Sequence, residues 1–144
     1  MSFTIPPIVA LAERLCAEIE QAVSRFPRAH RYTFGDELRR QARHVMRLVN
    51  RAWRDKANQP QWLVDLVWAV DDLKMELQIG QRLRAFTSLG QFEALARAAK
   101  ELGKQTGGWN RQQHPKGQSS AANGQPKRSQ ILSTPTASVR EANR

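Results

Sequence analysis

Apolar residues spaced by threes and fours constrain this chain more than any other feature in it. Ile8, Leu11, Ala12, Leu15, Ile19, Ala22 and Val23 form one such stripe, and that spacing puts them on one face of a helix. Between Ile5 and about Leu102 the pattern returns in separate runs, and none shows the alternation of a half-buried strand. Pro6-Pro7 opens the first run, because proline suits an opening helical turn. Pro27 closes it near Arg25 by disfavouring helical geometry at Phe26. Thr33 is placed to cap a second helix running to about Lys56, with Asp36 in its first turn. Pro60 starts a third helix that the pattern carries to about Phe86. Ser88 and Gln91 form an S-x-x-Q capping box before a fourth stripe of Leu89, Phe92, Leu95, Ala96, Ala99 and Leu102. Gly103 is placed to cap its end.

Short connections between four helices predict an all-α, antiparallel up-down-up-down four-helix bundle. Beyond Trp109 the only sizeable hydrophobes are Ile131, Leu132 and Val139. Such a segment cannot bury enough surface to offset its ordering entropy. The predicted organisation is a bundle over residues 1–110 and a disordered, basic, polar tail over 111–144.

The net charge is +10, which implies a polyanionic partner, either nucleic acid or an anionic membrane surface. Arg25 to Lys56 holds ten Lys/Arg against Asp36, Glu37 and Asp55, a net of +7. Gln105 to the C-terminus carries a net of +5, and the rest sums to −2. Within the first block, RRQARHVMRLVNRAWR has six arginines in sixteen positions. Projected as a helix, Leu38, Ala42, Val45, Val49 and Ala52 fall within about 40° of one line, while Arg40, Arg43, Arg47, Arg51 and Arg54 fall within about 40° of the opposite one. Arg39 lies beside the arginine row. A merely solvated face mixes signs, since like charges three or four residues apart repel. This row holds no acid between Arg39 and Arg54, and guanidinium groups suit bidentate phosphate contact. The predicted nucleic-acid-binding residues are Arg28, Arg31, Arg39, Arg40, Arg43, Arg47, Arg51 and Arg54. Lys74 and Arg82 on the third helix are secondary candidates.

The third helix is apolar on two sides. Leu63, Leu66, Val70, Leu73 and Leu77 make one face, and Val64, Trp68, Met75, Ile79 and Phe86 cluster on the other. A helix apolar on two faces calls for burial on both, so the second set is the predicted oligomer interface.

RFPRAHRYTFGDELR at residues 25–39 resembles the junction between the first two helices of a known family. These are the four-helix-bundle accessory variability determinant (Avd) proteins of diversity-generating retroelements, with relatives encoded in intervening sequences of bacterial large-subunit ribosomal RNA genes. Phe26, Pro27, Arg28, Arg31, Tyr32 and Thr33 match the pattern F-P-[KR]-x-x-[KR]-[FY]-[ST]. ELGKQTGGWNR resembles the family's ending E-[IL]-G-[KR]-x-x-G-G-W through Glu101, Leu102, Gly103, Lys104, Gly107, Gly108 and Trp109. The resemblance spans about residues 8–110, and neither motif is catalytic. It implies a cytoplasmic homopentamer, prokaryotic or phage-encoded. Such a protein binds template RNA or cDNA, partners a retroelement reverse transcriptase, and supports mutagenic cDNA synthesis and retrohoming. The alternative is a structural protein of the ribosomal-gene type whose basic surface meets an acidic protein partner.

No active site is legible. His30, His44, His114 and Cys16 lack metal-ligand spacing, and no phosphate-cradling loop appears. Asp65, Asp71, Asp72 and Glu76 read as a solvated flank of the third helix or as partners for arginines of a neighbouring subunit, with Asp71 and Asp72 also open to a reverse-transcriptase contact. The expectation is therefore a non-enzyme without metal or cofactor. The single cysteine excludes an internal disulfide framework and suits a reducing compartment. No apolar run approaches the roughly 20 residues of a membrane span, and the N-terminal pattern predicts no secretory signal.

Overall fold

The computed structural model describes residues 5–114, and every regular element in that range is helical. Four long helices are α1 (Pro7–Ser24), α3 (Phe34–Arg54), α4 (Gln59–Arg82) and α5 (Leu89–Gln113). A single helical turn, α2 (Arg28–Arg31), lies in the first connection, and a 3-10 turn (Lys56–Asn58) lies in the second. The first of the chain's two compact units ends at Asn110. The disordered tail expected over 111–144 falls outside the described residues from 115 onward.

Helix α3 packs on both α1 and α4. Its apolar line is buried as the projection requires, with Leu38, Ala42, Val45, Leu48, Val49 and Ala52 all in the core. α4 contributes Leu63, Leu66, Val70, Leu73 and Leu77, and α5 contributes Leu95, Ala99 and Leu102. Two buried or half-buried amides tie α3 to α4. Gln59 Nε2 donates to the Ala52 carbonyl at 2.7 Å, and Gln41 Nε2 donates to the Ala69 carbonyl at 3.0 Å. Each satisfies a donor that would otherwise be stranded against apolar neighbours.

Four readings of the sequence need correction. Thr33 does precede α3, but its hydroxyl donates back to the Ala29 carbonyl at 3.1 Å and does not cap the helix. α4 stops at Arg82, four residues short of Phe86. Its end is a Schellman turn. Ala85 N–H donates to the Gly80 carbonyl and Arg84 N–H to that of Gln81, both at 3.0 Å. Arg84 occupies the left-handed position with φ 59°. Glycine normally marks that position, so an arginine there gave the sequence no stop signal.

The turn sends Phe86 inward. Its ring meets Phe26 edge-on at 5.2 Å and Phe92 at 5.7 Å, and Phe26 in turn stacks on Phe34 at 6.0 Å. Phe86 is a core residue of its own chain, which removes it from the predicted oligomer interface.

Gly103 does not end the fourth long helix, and α5 continues through Gly107 and Gly108. Glycine inside a helix costs roughly 1 kcal/mol relative to alanine. Burial of Leu102, with Trp109 packed on the core, offsets that cost. Gly103 also faces α4 closely, since a Cβ there would lie 3.3 Å from Lys74 Nζ and 3.6 Å from Val70 Cγ1. The capping box at the start of α5 is formed. Gln91 N–H donates to Ser88 Oγ at 3.1 Å, while the Gln91 amide oxygen accepts from Thr87 N–H at 3.0 Å.

Candidate nucleic-acid interface

The arginine row stands on the side of α3 opposite its buried line, but its two halves differ. In the N-terminal half the guanidinium groups are already occupied. Arg39 Nε meets Glu20 Oε2 at 2.8 Å and its Nη1 meets Asp36 Oδ1 at 3.0 Å, leaving the side chain only 21% exposed. Arg40 pairs with Glu37 at 2.6 Å, and Arg43 reaches Glu20 at 3.4 Å. The sequence showed no acid within the row. It did not show that α1 delivers Glu20 to the row from nineteen residues upstream of Arg39.

The C-terminal half is different. Among the described residues Arg47, Arg51 and Arg54 make no ion pair. Arg51 lies over the Trp62 ring at 5.4 Å, and Arg54 lies over the Trp53 ring at 5.2 Å. Trp62 is itself held in place, its Nε1 donating to Asp55 Oδ2 at 2.9 Å. Asp55 also accepts from the backbone and side chain of Asn58. These hydrogen bonds, from Asn58 first and then Trp62, hold its carboxyl below the usual carboxylate range.

Of the loop arginines, Arg28 is exposed and makes no ion pair among the described residues. Arg31 has a structural duty. Its Nε and Nη2 both donate to the Phe26 carbonyl, at 3.3 and 3.2 Å, and brace the turn after α1. Lys74 pairs with Asp71 at 3.4 Å and lies against Gly103 of α5. Arg82 is exposed at the end of α4. The structure therefore gathers Arg47, Arg51 and Arg54 as open cations and leaves the two α4 cations on another surface. Trp53 and Trp62, which the sequence reading did not include, belong to the same corner. The signal for them was an aromatic at each end of the short link between two helices.

The outer side of α4 carries Val64, Trp68, Met75 and Ile79 as predicted, all exposed, with Trp68 at 64%. Leu83 extends that strip. On its flank, burial raises the Glu76 carboxyl above its ordinary range, and the charges of Glu37 and Asp72 add to the effect. Cys16 sits half-buried on the core, its thiol raised by burial and drawn back by Arg43. No group of three or more His, Cys, Asp or Glu among the described residues is placed to hold a metal ion. Among the same residues no helix is long and apolar enough to cross a membrane. No protein-family model matches the chain, and no curated protein matches it.

Proposed function

We propose that this chain is a non-enzymatic accessory protein of the Avd type. On this reading it holds template RNA, or RNA with its cDNA copy, by the backbone phosphates, and engages a retroelement reverse transcriptase through a protein surface. It thereby supports mutagenic cDNA synthesis and retrohoming in the cytoplasm of a prokaryotic host. The observation that carries the reading is the open C-terminal half of the arginine row. Three guanidinium groups on one helix face have no acid among the described residues to satisfy them, and phosphate is a ligand that their planar forks fit bidentately. Such contacts position a strand without reading its sequence.

The proposed architecture is an antiparallel four-helix bundle. Contacts between α3 and α4 support it, because rising numbers on one helix meet falling numbers on the other. Phe34 lies by Gly80, Gln41 reaches Ala69 and Ala52 meets Gln59. The proposed assembly is a homopentamer that covers Val64, Trp68, Met75 and Ile79 with another copy, so that the arginine rows repeat around a multivalent surface. Support comes from the clustering of four large exposed apolar side chains on one helix.

The test is a binding assay of the full chain on RNA across a salt series. Arg47→Ala/Arg51→Ala/Arg54→Ala is expected to lose about a hundredfold in affinity at low salt, given the per-phosphate counterion release of single strands. Unchanged affinity, with retained binding to an acidic protein partner, would select the structural alternative. Trp68→Glu is expected to give folded, smaller species by light scattering, and an unaltered mass would remove α4 as the interface.

A further inference from the structure

Arginines of the basic block form three cation–π pairs: Arg31 with Tyr32, Arg51 with Trp62, and Arg54 with Trp53. The guanidinium carbons stand 5.8, 5.4 and 5.2 Å from the ring centroids, within cation–π range. Two of the three lie at one corner, where α3 ends and α4 begins, beside the cations that have no acid partner among the described residues. Cations interleaved with aromatic rings are the chemistry of single-strand recognition, with phosphates on the charges and bases on the rings.

The geometry points to a single-strand-selective site at this corner, in which the phosphates of one unpaired strand take Arg51 and Arg54 while its bases stack on Trp62 and Trp53. The inference rests on the reading of the arginine row as a nucleic-acid surface and adds the class of strand. Each guanidinium now covers a ring face. An exposed cation–π contact is weaker than a charge-assisted, bidentate phosphate contact, so an arriving phosphate draws the guanidinium off the ring. The uncovered face can then take the base attached to that phosphate. Both tryptophans pack on the core, and the Asp55 hydrogen bond fixes the orientation of Trp62, so the platforms need little further ordering when a base arrives. A duplex supplies the phosphates but keeps its bases stacked inside, and the deep, narrow major groove of A-form RNA does not admit side chains.

The experiment compares short oligo(U) and oligo(dT), an RNA duplex of equal length, and inorganic polyphosphate as a ligand without bases. Trp53→Leu/Trp62→Leu keeps apolar side chains and removes the π-faces. It is expected to weaken single-strand binding about tenfold or more, from the measured range for base–aromatic stacking. Polyphosphate binding should change by less than about twofold, since no ring enters it. The Phe double variant should restore most of the single-strand affinity. As a check independent of folding in the Leu variant, Trp68→Phe/Trp109→Phe leaves only the two corner tryptophans as fluorophores. Oligo(U) should quench them, and polyphosphate should not. Equal binding of duplex and single strand, or absent quenching, would overturn the stacking site while polyphosphate binding still upheld the arginine surface. Failure to bind polyphosphate at all would overturn both.

Discussion

The two halves of the α3 arginine row share a helix, a face and a residue type, yet differ in what they can offer a ligand. Arg39, Arg40 and Arg43 are met by Glu20, Asp36 and Glu37. Arg51 and Arg54 meet aromatic rings, and neither they nor Arg47 meet a carboxylate among the described residues. A phosphate approaching the first half competes with carboxylates already in place, and one approaching the second competes only with water and a weak ring contact. Charge counted along a sequence therefore overstates the working charge of a surface. What decides is which side chains the neighbouring helices deliver to it.

This contrast can be broken by changing the charge of each half. Arg47→Glu/Arg51→Glu should abolish measurable RNA binding at moderate salt, a loss of about a thousandfold, since two attractions are removed and two repulsions added. Removal of the first half, Arg39→Ala/Arg40→Ala/Arg43→Ala, should cost about tenfold or less, because those cations were largely neutralised beforehand. It should also lower the melting temperature, since it strands Glu20 and Asp36. If both variants lose equally, the distinction between the halves falls.

Glu20→Gln sharpens the comparison from the other side. It releases Arg43 and leaves Arg39 held by Asp36 alone, so RNA affinity should rise about threefold and its salt dependence should steepen. Affinity left unchanged by this variant would mean that the N-terminal arginines do not face the ligand even when released. The smallest expected effect is at Asp55. Its folded-state pKa is depressed by hydrogen bonds from Asn58 and Trp62. The stability it contributes is therefore fully present above the unfolded carboxyl value of about 3.9 and is lost as pH falls through the folded value. Asp55→Asn should melt slightly lower than the parent at neutral pH, and the gap should close in acid. Melting curves across that range check it, and a gap that stays constant with pH would show that Asp55 acts through shape alone.

Local rules made the helices legible. Proline at the starts of α1 and α4, the Ser88–Gln91 box before α5 and the i, i+3, i+4 stripes each act within a few residues, and each appears where the pattern placed it. The errors came where distant parts of the chain decide the outcome. Arg84 accepts a left-handed conformation without the glycine that would have announced it, and the resulting turn carries Phe86 from a predicted exterior to the Phe26 ring. Gly103, Gly107 and Gly108 look like a helix end, but burial of neighbouring side chains carries α5 past them. The candidate site divides in the same way. The arginine face follows from helical period alone. The pairing of Arg39 with Glu20, and of Arg51 with Trp62, depends on which helices lie alongside α3.

The unequal halves are tested most directly by the log–log salt slope of single-stranded RNA binding, measured side by side for the two triple alanine variants. Every phosphate that a variant no longer neutralises should flatten that slope by about 0.7. The account predicts that Arg47→Ala/Arg51→Ala/Arg54→Ala flattens it by about 2, and that Arg39→Ala/Arg40→Ala/Arg43→Ala changes it by less than about 1. Equal flattening by the two variants, or a larger effect from the first half, would contradict it.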